Sequence, residues 1–577
     1  MAGFSRDIPG ERFSQLTLAK IRLGFVACLF ILGYLAISLR LADLTLLHDK
    51  PQDDMATVEA VKPLAKPLRG TITDRNGDLM ATSLAMASVY ADATLIDNPA
   101  AVAAELGKII PNANVKDIEK KLASGKKFVW IERNITPKQQ YAINTLGHPG
   151  LSFQQEDRRI YPHGALTAHL VGYTDVDGHG IAGVERTAEE TLAAGEDTVS
   201  LTIDLRLQHI MHRELQKSMK YFRAKAATGI VMDVNSGEIL SMVSLPDFDP
   251  YQPGKAVDDA RFNRASLGVY EMGSTFKLFA LAGALDSGKA GFSTTFDASE
   301  AISIGRFKIN DYHAKRRVMT VPEIFIHSSN IGTAKMAMAM GDGGLKQFYK
   351  NLGFFEPVPV DLPERGSPLY PRPWRDINTM TASYGHGVAV TPLHLVRATA
   401  ALVNGGVLVE PKILKDRARK SSLIPKPEGE RVIRPQTSLQ VRKLMELVVA
   451  GGTGKKAAVE GYNIGGKTGT AEKNKNGRYD KSALLSSFIG VFPMEEPRYV
   501  VLAMLDEPKG TEDTQGYATG GWTGAPVVAR VVEQMAPLYH IPPAPDTQAA
   551  IVKEMSVYLR DSHLAKGGDF ASVGTDR

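Results

Sequence analysis

The order of apolar and polar residues predicts a membrane helix near the start of the chain. Positions 23–39, LGFVACLFILGYLAISL, contain no charged residue, and apolar residues resume after Arg40. A run of this length can cross a hydrocarbon core. It lacks the polar face of a globular surface helix, is long for a cleaved signal peptide, and has no small-x-small cleavage site before Arg40. We therefore predict a retained anchor at 23–43, after a cytoplasmic N-terminus at 1–22.

Basic residues set the orientation of this anchor. Arg6, Arg12, Lys20 and Arg22 precede the span. The positive-inside rule keeps such a short basic end in the cytoplasm. The predicted protein is therefore single-pass, and everything after the span lies on the far side of the membrane.

The rest of the chain divides into a polar stalk, two folded modules and a tail. Residues 44–66 are polar and interrupted by prolines, which is typical of a stalk. A first module, at 67–221, mixes short strands and helices, and a second, at 222–541, begins and ends with strand-like runs that flank helical stretches. The last residues, 542–577, show one short amphipathic stretch, and we predict a mobile tail there.

The hydrophobic periodicity of individual segments supports this division. We predict helices at 98–106, 137–144, 276–285, 391–403 and 438–449, extended segments at 152–161, 198–203, 484–493 and 499–508, and a hairpin at 227–246. Strands at both ends of the second module, with helices between them, predict an antiparallel sheet covered by helices. The expected fold class is multi-domain α+β.

Composition excludes several classes of function. The 577 residues are 44% apolar and 23% charged, which is the balance of a foldable multi-domain chain. The formal net charge is only +5 and no nucleic-acid-binding motif accompanies it, so nucleic acid is not an expected partner. The one cysteine, Cys28, lies inside the apolar run, which excludes an intrachain disulfide or a cysteine-rich metal site.

A candidate nucleophile lies at the start of an alanine-rich apolar segment. Ser274 and Lys277 are three residues apart, and this spacing places the serine hydroxyl and the lysine amine on one helix face. A serine attacks a carbonyl only if a neighbour takes its proton, so Lys277 has to be neutral, which burial and a nearby cation favour. Taken alone, S-x-x-K is a frequent pattern, and an N-capping serine with a surface lysine is the simpler interpretation.

A second candidate element is Ser328-Ser329-Asn330, which precedes another apolar helical stretch. The Ser328 hydroxyl can relay a proton. The Asn330 amide can hold the lysine and bind a substrate carbonyl. An ordinary helix cap would give the same three residues.

A third candidate element is Lys467-Thr468-Gly469-Thr470, which follows two glycines. Glycines in a strand let a substrate backbone approach and pair along the strand edge. The Lys467 amine and the threonine hydroxyls are suited to a substrate carboxylate. This short motif is also frequent by itself.

Together the three elements resemble the S-x-x-K, S-x-N and K-T-G signature of penicillin-binding proteins and serine β-lactamases. They occur in the order and broad spacing of that family, within EMGSTFKLF, IHSSNIGTAKMAMAM and GGTGKKAAVEGYNIGGKTGTAEK, and TASYGHGVAVTPLHL is also similar. The resemblance implies a serine β-lactamase-like transpeptidase domain at 222–541. It implies catalytic roles for Ser274, Lys277, Ser328, Asn330 and Lys467, and substrate-binding roles for Thr468, Gly469 and Thr470.

The first module narrows the resemblance to class B penicillin-binding proteins. RGTITDRNG at 69–77 and RRIYPHGALTAHLVGYTDVDGHGIAGVE at 158–185 resemble motifs of their elongated, mixed α/β, non-catalytic pedestal, a dimerisation-type domain. Asp74, Glu185 and the pedestal arginines are then expected in structural ion pairs. PERGSPLYPRPWRDINTMTASYGHG at 363–387 is similar to the septal, FtsI-type members.

The resemblance implies peptidoglycan D,D-transpeptidation during septum formation, on the periplasmic side of a bacterial inner membrane. Ser274 would attack a donor stem peptide at its terminal D-Ala-D-Ala, and an amine of a neighbouring stem would accept the acyl group. Backbone N–H groups of Ser274 and Thr470 would hold the oxyanion. β-Lactams are the expected inhibitors. The expected partners are a polytopic septal glycosyltransferase and other divisome proteins. No metal or organic cofactor is expected.

Three alternatives remain open from the sequence. The chain could be an elongation-specific class B transpeptidase. It could resolve its acyl-enzyme with water, as a D,D-carboxypeptidase or β-lactamase, although the pedestal and the anchor disfavour this. It could also be an idle β-lactam sensor or divisome scaffold, which the intact Lys277 and Lys467 disfavour.

Overall fold

The chain folds as two compact units, 1–66 and 67–577. The computed structural model describes residues 10–42, 68–111, 113–195, 197–305, 307–415, 427–475, 478–544 and 548–559. The first unit contains helix α1 (Gly10–Ala42), in which Lys20–Leu39 is long and apolar enough to cross a membrane. This helix coincides with the predicted anchor. The predicted stalk at 44–66 lies outside the described residues.

The pedestal is built around one long strand. The described strands are β1 (Ile72–Thr73), β2 (Leu79–Ala91), β3 (Val129–Ile135), β4 (Leu151–Ile160) and β5 (Val199–Ser200). Strand β2 pairs antiparallel with β1, β3 and β4, and β1 pairs parallel with β5. The helices are α2 (Pro99–Ile109), α3 (Val115–Leu122), α4 (Pro137–Thr145), α5 (Ala168–Val171), α6 (Gly183–Thr187) and α7 (Glu189–Ala194). Helix α8 (Leu205–Tyr221), which falls before the predicted boundary at 221, packs instead on the sheet of the second module.

Local capping explains why the predicted pedestal helices begin where they do. The Asn98 side chain accepts from the backbone of Ala101, and a proline follows it, so α2 begins with its end groups satisfied. Thr136 and Gln139 form a reciprocal capping box at the start of α4. The helices predicted at 98–106 and 137–144 are therefore present, with slightly longer C-terminal ends.

A buried ion cluster joins the pedestal motifs. The Glu185 carboxylate, which is 0% exposed, pairs with Arg69 Nε and Arg159 Nε, each at 2.7 Å. Asp74 has another role than the predicted ion pair. It accepts the backbone N–H groups of Asn76 at 2.7 Å and Asp78 at 3.0 Å and so closes a turn. The predicted ion-pair role therefore holds for Glu185 and its two arginines.

Glu185→Gln is expected to lower the free energy of unfolding by about 3–5 kcal/mol, because two buried guanidinium groups lose their common counter-charge. Thermal or denaturant unfolding measures the loss. Glu189→Gln is the matched control, since Glu189 also pairs with Arg69 but is 32% exposed, and it should cost about 1 kcal/mol or less. Equal losses in the two variants would contradict this account of the cluster.

The second module contains a five-stranded antiparallel sheet of order β14-β15-β16-β6-β7. Its strands are β6 (Ala226–Asp233), β7 (Ile239–Leu245), β14 (Gly465–Lys475), β15 (Arg478–Phe492) and β16 (Tyr499–Asp506), and the shorter strands are β8 (Thr295–Asp297), β9 (Ile302–Ile304), β10 (Phe307–Ile309), β11 (Val318–Thr320), β12 (Val407–Leu408) and β13 (Glu430–Arg431). The helices are α9 (Asp258–Arg261), α10 (Lys277–Asp286), α11 (Val321–Ile326), α12 (Asn330–Met338), α13 (Gly344–Asn351), α14 (Asp376–Ser383), α15 (Pro392–Val403), α16 (Pro435–Ala450), α17 (Gly520–Leu538) and α18 (Gln548–Met555).

Helices cover both faces of this sheet. Alternate residues of β6 point to opposite sides, so Ile230 joins the core under α10, α15 and α16, while Val231 joins the core under α8 and α17. All eight residues of β6 are buried. The predicted antiparallel sheet covered by helices is confirmed. Strand β14 lies at one edge of it.

The prediction of a mobile tail from residue 542 is wrong for residues 548–559. Helix α18 packs on α16, and Ile551, Met555 and Leu559 are buried in the main core. The Tyr558 carbonyl accepts a hydrogen bond from the Thr320 hydroxyl at 2.8 Å. An eight-residue helix has little stability alone, and this packing explains why it forms. Residues 560–577 of the predicted tail lie outside the described residues.

Candidate active site

The candidate nucleophile lies in a tight turn before a buried helix. Residues Gly273–Phe276 form a 3-10 turn that leads directly into α10, whose residues from Lys277 to Leu285 are all buried. In a 3-10 turn, side chains three residues apart lie on the same side. Lys277 Nζ accordingly lies 3.0 Å from Ser274 Oγ. The predicted pairing of serine and lysine is present in the structure.

Burial changes the protonation of both site lysines. Lys277 is 1% exposed, and burial, with a smaller contribution from the charge of Lys467, lowers its pKa well below the ordinary value. Lys467 is 0% exposed, and burial lowers its pKa to about 7. A neutral amine has a lone pair that can accept a proton. Lys277 therefore has the environment of a general base.

Ser328 connects the two lysines. It lies between α11 and α12, and its hydroxyl oxygen is 3.0 Å from Lys277 Nζ and 3.1 Å from Lys467 Nζ. Its backbone carbonyl also accepts from Lys277 at 2.5 Å. Ser328 has a φ of +56°, a left-handed conformation that is uncommon for residues other than glycine. Such strain concentrates at functional sites, and here it directs both oxygens of Ser328 to Lys277.

Asn330 has a different partner from the predicted one. Its side-chain amide donates to the Asn310 carbonyl at 2.8 Å, whereas the hydrogen bonds of Lys277 are made to Ser274 and Ser328. The neighbouring Asp311 accepts from Ser329 Oγ at 2.7 Å. Asn330 therefore ties the Ser328 loop to the 310–311 segment, and its predicted roles toward the lysine and a substrate carbonyl stay predictions.

Close backbone packing brings strand β14 to the nucleophile turn. A methyl group at Gly469 would lie 2.4 Å from Ser487 Oγ and 2.9 Å from the Met272 carbonyl. A methyl group at Gly273 would lie 2.5 Å from the Thr470 carbonyl. All three contacts are shorter than a real Cβ atom tolerates. The glycines thus allow the edge strand and the turn to meet, whereas the predicted approach of a substrate backbone to this strand stays a prediction.

The two threonines of the strand have separate partners. Thr468 Oγ1 lies 2.8 Å from Thr453 Oγ1. Thr470 Oγ1 accepts from the backbone N–H of Gly520, at the start of α17, at 3.3 Å. Both hydroxyls are thereby held in place by neighbouring elements of the same module. The three predicted motifs, which are far apart in the sequence, meet in one site.

Sequence reasoning missed a second group of polar residues beside Ser274. Glu271 accepts from the backbone N–H of Gly387 at 2.8 Å and from the Tyr479 hydroxyl at 3.2 Å. The His386 ring packs against Tyr384 and Tyr479, with ring centroids 5.3 and 5.4 Å away. Glu271 lies in the EMGSTFKLF segment and His386 in the TASYGHG segment. These segments are far apart in the sequence, and no residue pattern predicts that they meet.

Comparison with known proteins agrees with this geometry. The chain matches the family model of the penicillin binding protein transpeptidase domain over residues 227–533, and that of the penicillin-binding protein dimerisation domain over residues 64–219. It is 42% identical over 482 residues, 81% of each chain, to the probable peptidoglycan D,D-transpeptidase FtsI of Caulobacter vibrioides. It is 31% identical over 499 residues to the peptidoglycan D,D-transpeptidase FtsI of Escherichia coli, covering 80% of this chain and 82% of the other.

A solved structure shows the same fold. The crystal structure of penicillin binding protein 3 from Mycobacterium tuberculosis, complexed with ampicillin, matches with a TM-score of 0.66 and 25% sequence identity. The match covers 83% of this chain and 97% of that one. Both domain models, the identities and the convergence of the three motifs show that the chain belongs to the class B penicillin-binding proteins, the FtsI-like serine transpeptidases.

Proposed function

We propose that this peptidoglycan D,D-transpeptidase cross-links stem peptides at the division septum through an acyl-enzyme on Ser274, and that β-lactams inhibit it by occupying the same serine. The observation that carries the chemistry is the continuous chain of contacts from Ser274 Oγ through Lys277 Nζ and Ser328 Oγ to Lys467 Nζ, with distances of 3.0, 3.0 and 3.1 Å. A nucleophile, a base and a relay in contact are the requirements of serine acyl transfer.

Acylation follows from these contacts. Neutral Lys277 takes the proton of Ser274 Oγ while the oxygen attacks the carbonyl carbon of the penultimate D-alanine. The C–N bond of the resulting tetrahedral intermediate breaks. The proton passes from Lys277, through the Ser328 hydroxyl, to the leaving nitrogen, and D-alanine departs. Backbone N–H groups of Ser274 and Thr470 would hold the oxyanion in this step.

Substrate capture is assigned to the edge strand β14. Lys467 in its charged form, with the hydroxyls of Thr468 and Thr470, would bind the terminal carboxylate of the donor, or the carboxylate of a β-lactam. Gly469 would let the donor backbone approach the strand. The position of β14 at the edge of the sheet supports this role, because an edge strand has backbone groups available for an added peptide.

Removing the charge of Lys467 is expected to shift the pH dependence of acylation. A nearby cation lowers the pKa of Lys277, so Lys467→Met should raise that pKa. The acid limb of the rate profile for acylation by a penicillin, where Lys277 loses its proton, should then move to higher pH. The rate constant itself should fall as the carboxylate contact is lost. A profile with an unmoved acid limb would contradict the coupling between the two lysines.

The septal assignment rests on the 363–387 segment and on similarity to proteins named FtsI. This segment contains α14 and, near its end, Gly385, whose backbone lies against the nucleophile turn. A monofunctional transpeptidase also requires a partner that makes glycan strands. Helix α1 is proposed to contact a polytopic glycosyltransferase, because the small residues Gly24, Ala27 and Gly33 permit close helix packing.

Depletion in cells tests the septal assignment. Loss of a septal enzyme should produce filaments with unfinished septa, because growth in length continues while cross-linking at the septum stops. The measurement is microscopy of cells after controlled depletion. Rounded cells that still divide would instead indicate the elongation role, and they would leave the transpeptidase chemistry unaffected.

A further inference from the structure

A half-buried carboxylate three residues before the nucleophile is not used in the acylation steps above. Glu271 uses Oε1 to accept from the Gly387 backbone at 2.8 Å and from the Tyr479 hydroxyl at 3.2 Å. Its second oxygen, Oε2, is buried and has no hydrogen-bond partner among the described residues. A buried carboxylate oxygen without a partner is costly unless a ligand or water satisfies it. Glu271 therefore has an unused site for a donor or a cation.

This carboxylate lies just before the nucleophile turn and accepts from Gly387, in a loop that packs against the turn. The Gly273 N–H donates to the Gly385 carbonyl at 3.3 Å, and a methyl group at Gly385 would lie 2.1 Å from the Gly273 carbonyl. Glu271 is only three residues before Ser274. The loop thus packs directly on the turn that carries Ser274.

The neighbouring imidazole is uncharged. Burial, with a smaller contribution from Lys277, lowers the pKa of His386 to about 4. Its Nδ1 has no hydrogen-bond partner among the described residues. His386 therefore contributes no positive charge to this side of the site at neutral pH. The unpartnered oxygen Oε2 of the Glu271 carboxylate can bind a small cation.

We propose that the Glu271 carboxylate binds the ammonium group of the acceptor stem peptide and takes its first proton. This inference rests on the proposed transpeptidase function and assigns the acceptor side of the same site. At neutral pH a primary amine is an ammonium ion, which cannot attack a carbonyl. An acyl-enzyme that transfers to an amine needs a group that binds the ammonium ion and removes a proton, and burial raises the pKa of the Glu271 carboxyl in the direction that favours accepting one.

The second half-reaction then balances. The ammonium ion loses one proton to the Glu271 carboxylate and becomes a neutral amine. Its nitrogen attacks the carbonyl carbon of the ester on Ser274, forming the new C–N bond. Neutral Lys277 takes the second proton from that nitrogen and gives it to Ser274 Oγ as the C–O bond breaks. The products are the cross-linking amide and the free serine, and the proton on Glu271 returns to water.

Glu271→Gln separates this role from a structural one. The glutamine amide has the same shape, and its oxygen can still accept from Gly387 and Tyr479, but it has no charge and cannot take a proton. Glu364→Gln is the matched control. Glu364 is also a half-buried carboxyl that accepts a backbone N–H, from Gly183 at 3.1 Å, and its second oxygen has no partner among the described residues. It lies at the contact with the pedestal.

The experiment measures how the acyl-enzyme partitions between an amine and water. The full chain is acylated with a thioester of an N-acylated D-alanine, and D-alaninamide serves as the acceptor. Glu271→Gln should lower the ratio of aminolysis to hydrolysis roughly 10- to 100-fold, since hydrogen bonds to charged groups are worth that much. Acylation by a penicillin should stay within about twofold of the wild type. Glu364→Gln should change neither quantity.

Two outcomes would overturn the inference. One is an unchanged aminolysis ratio in Glu271→Gln, and the other is a folded variant that has lost penicillin acylation, which would assign Glu271 to the first half-reaction.

If the variant does not fold, guanidinium ion at matched ionic strength is tested on the wild type. It should raise the KM for D-alaninamide without slowing penicillin acylation, and no competition would contradict the proposal. A wild-type chain that a penicillin does not acylate would instead defeat the proposed function.

Discussion

Ser274→Ala is expected to abolish covalent labelling by a fluorescent penicillin. Removing the nucleophile of a serine acyl-transfer enzyme reduces the rate by roughly a million-fold, which is below detection in a labelling gel. The fold should persist, because Ser274 is half-buried and its hydroxyl contacts only the Lys277 amine among the hydrogen bonds described here. Thermal unfolding and labelling of the same preparation measure both quantities.

Ser287→Ala is the matched control for that change. Ser287 lies at the other end of α10, where its hydroxyl donates to the Ala284 carbonyl at 3.1 Å. Labelling of this variant should equal that of the wild type. If Ser274→Ala were labelled as strongly as Ser287→Ala, another residue would have to be the nucleophile.

Lys277→Ala should reduce the rate of acylation by roughly 10²- to 10⁴-fold, which is the usual contribution of a general base. The amine contacts the nucleophile and both oxygens of Ser328, so its loss also disconnects the proton relay. Stopped-flow acylation with a chromogenic penicillin measures the rate constant. Lys289→Ala, at an exposed position just after α10, should acylate normally. Wild-type rates in Lys277→Ala would require a different base.

The sequence predicted the parts of the molecule that depend on local pattern. Periodic apolar segments with caps became helices such as α2 and α4, because their end groups are satisfied within a few residues. The three short motifs, through their resemblance to a known signature, also predicted that Ser274, Ser328 and Lys467 share one site, and the structure brings these residues together. The structure then added the distances between them.

Other features depend on contacts that are distant in the sequence. Asp311 holds the Ser329 loop from a segment with no motif of its own, and Glu271 meets Tyr479 across 208 positions. The Asn330 amide donates to the Asn310 carbonyl, a contact that the sequence alone does not predict. Helix α18 is short and forms only where α16 provides an apolar surface, so its periodicity alone predicted a tail.

The central claim is that an acyl-enzyme on Ser274 is transferred to an amine. Its most direct test incubates the full chain with a donor stem peptide ending in D-Ala-D-Ala and an amine acceptor, and measures released D-alanine and new amide cross-links together. Our account predicts equal amounts of the two products, and neither product with Ser274→Ala. Release of D-alanine without cross-links would contradict the account and indicate a carboxypeptidase. Cross-links formed by the Ser274→Ala variant would also contradict it, because they would place the acyl-enzyme on another residue.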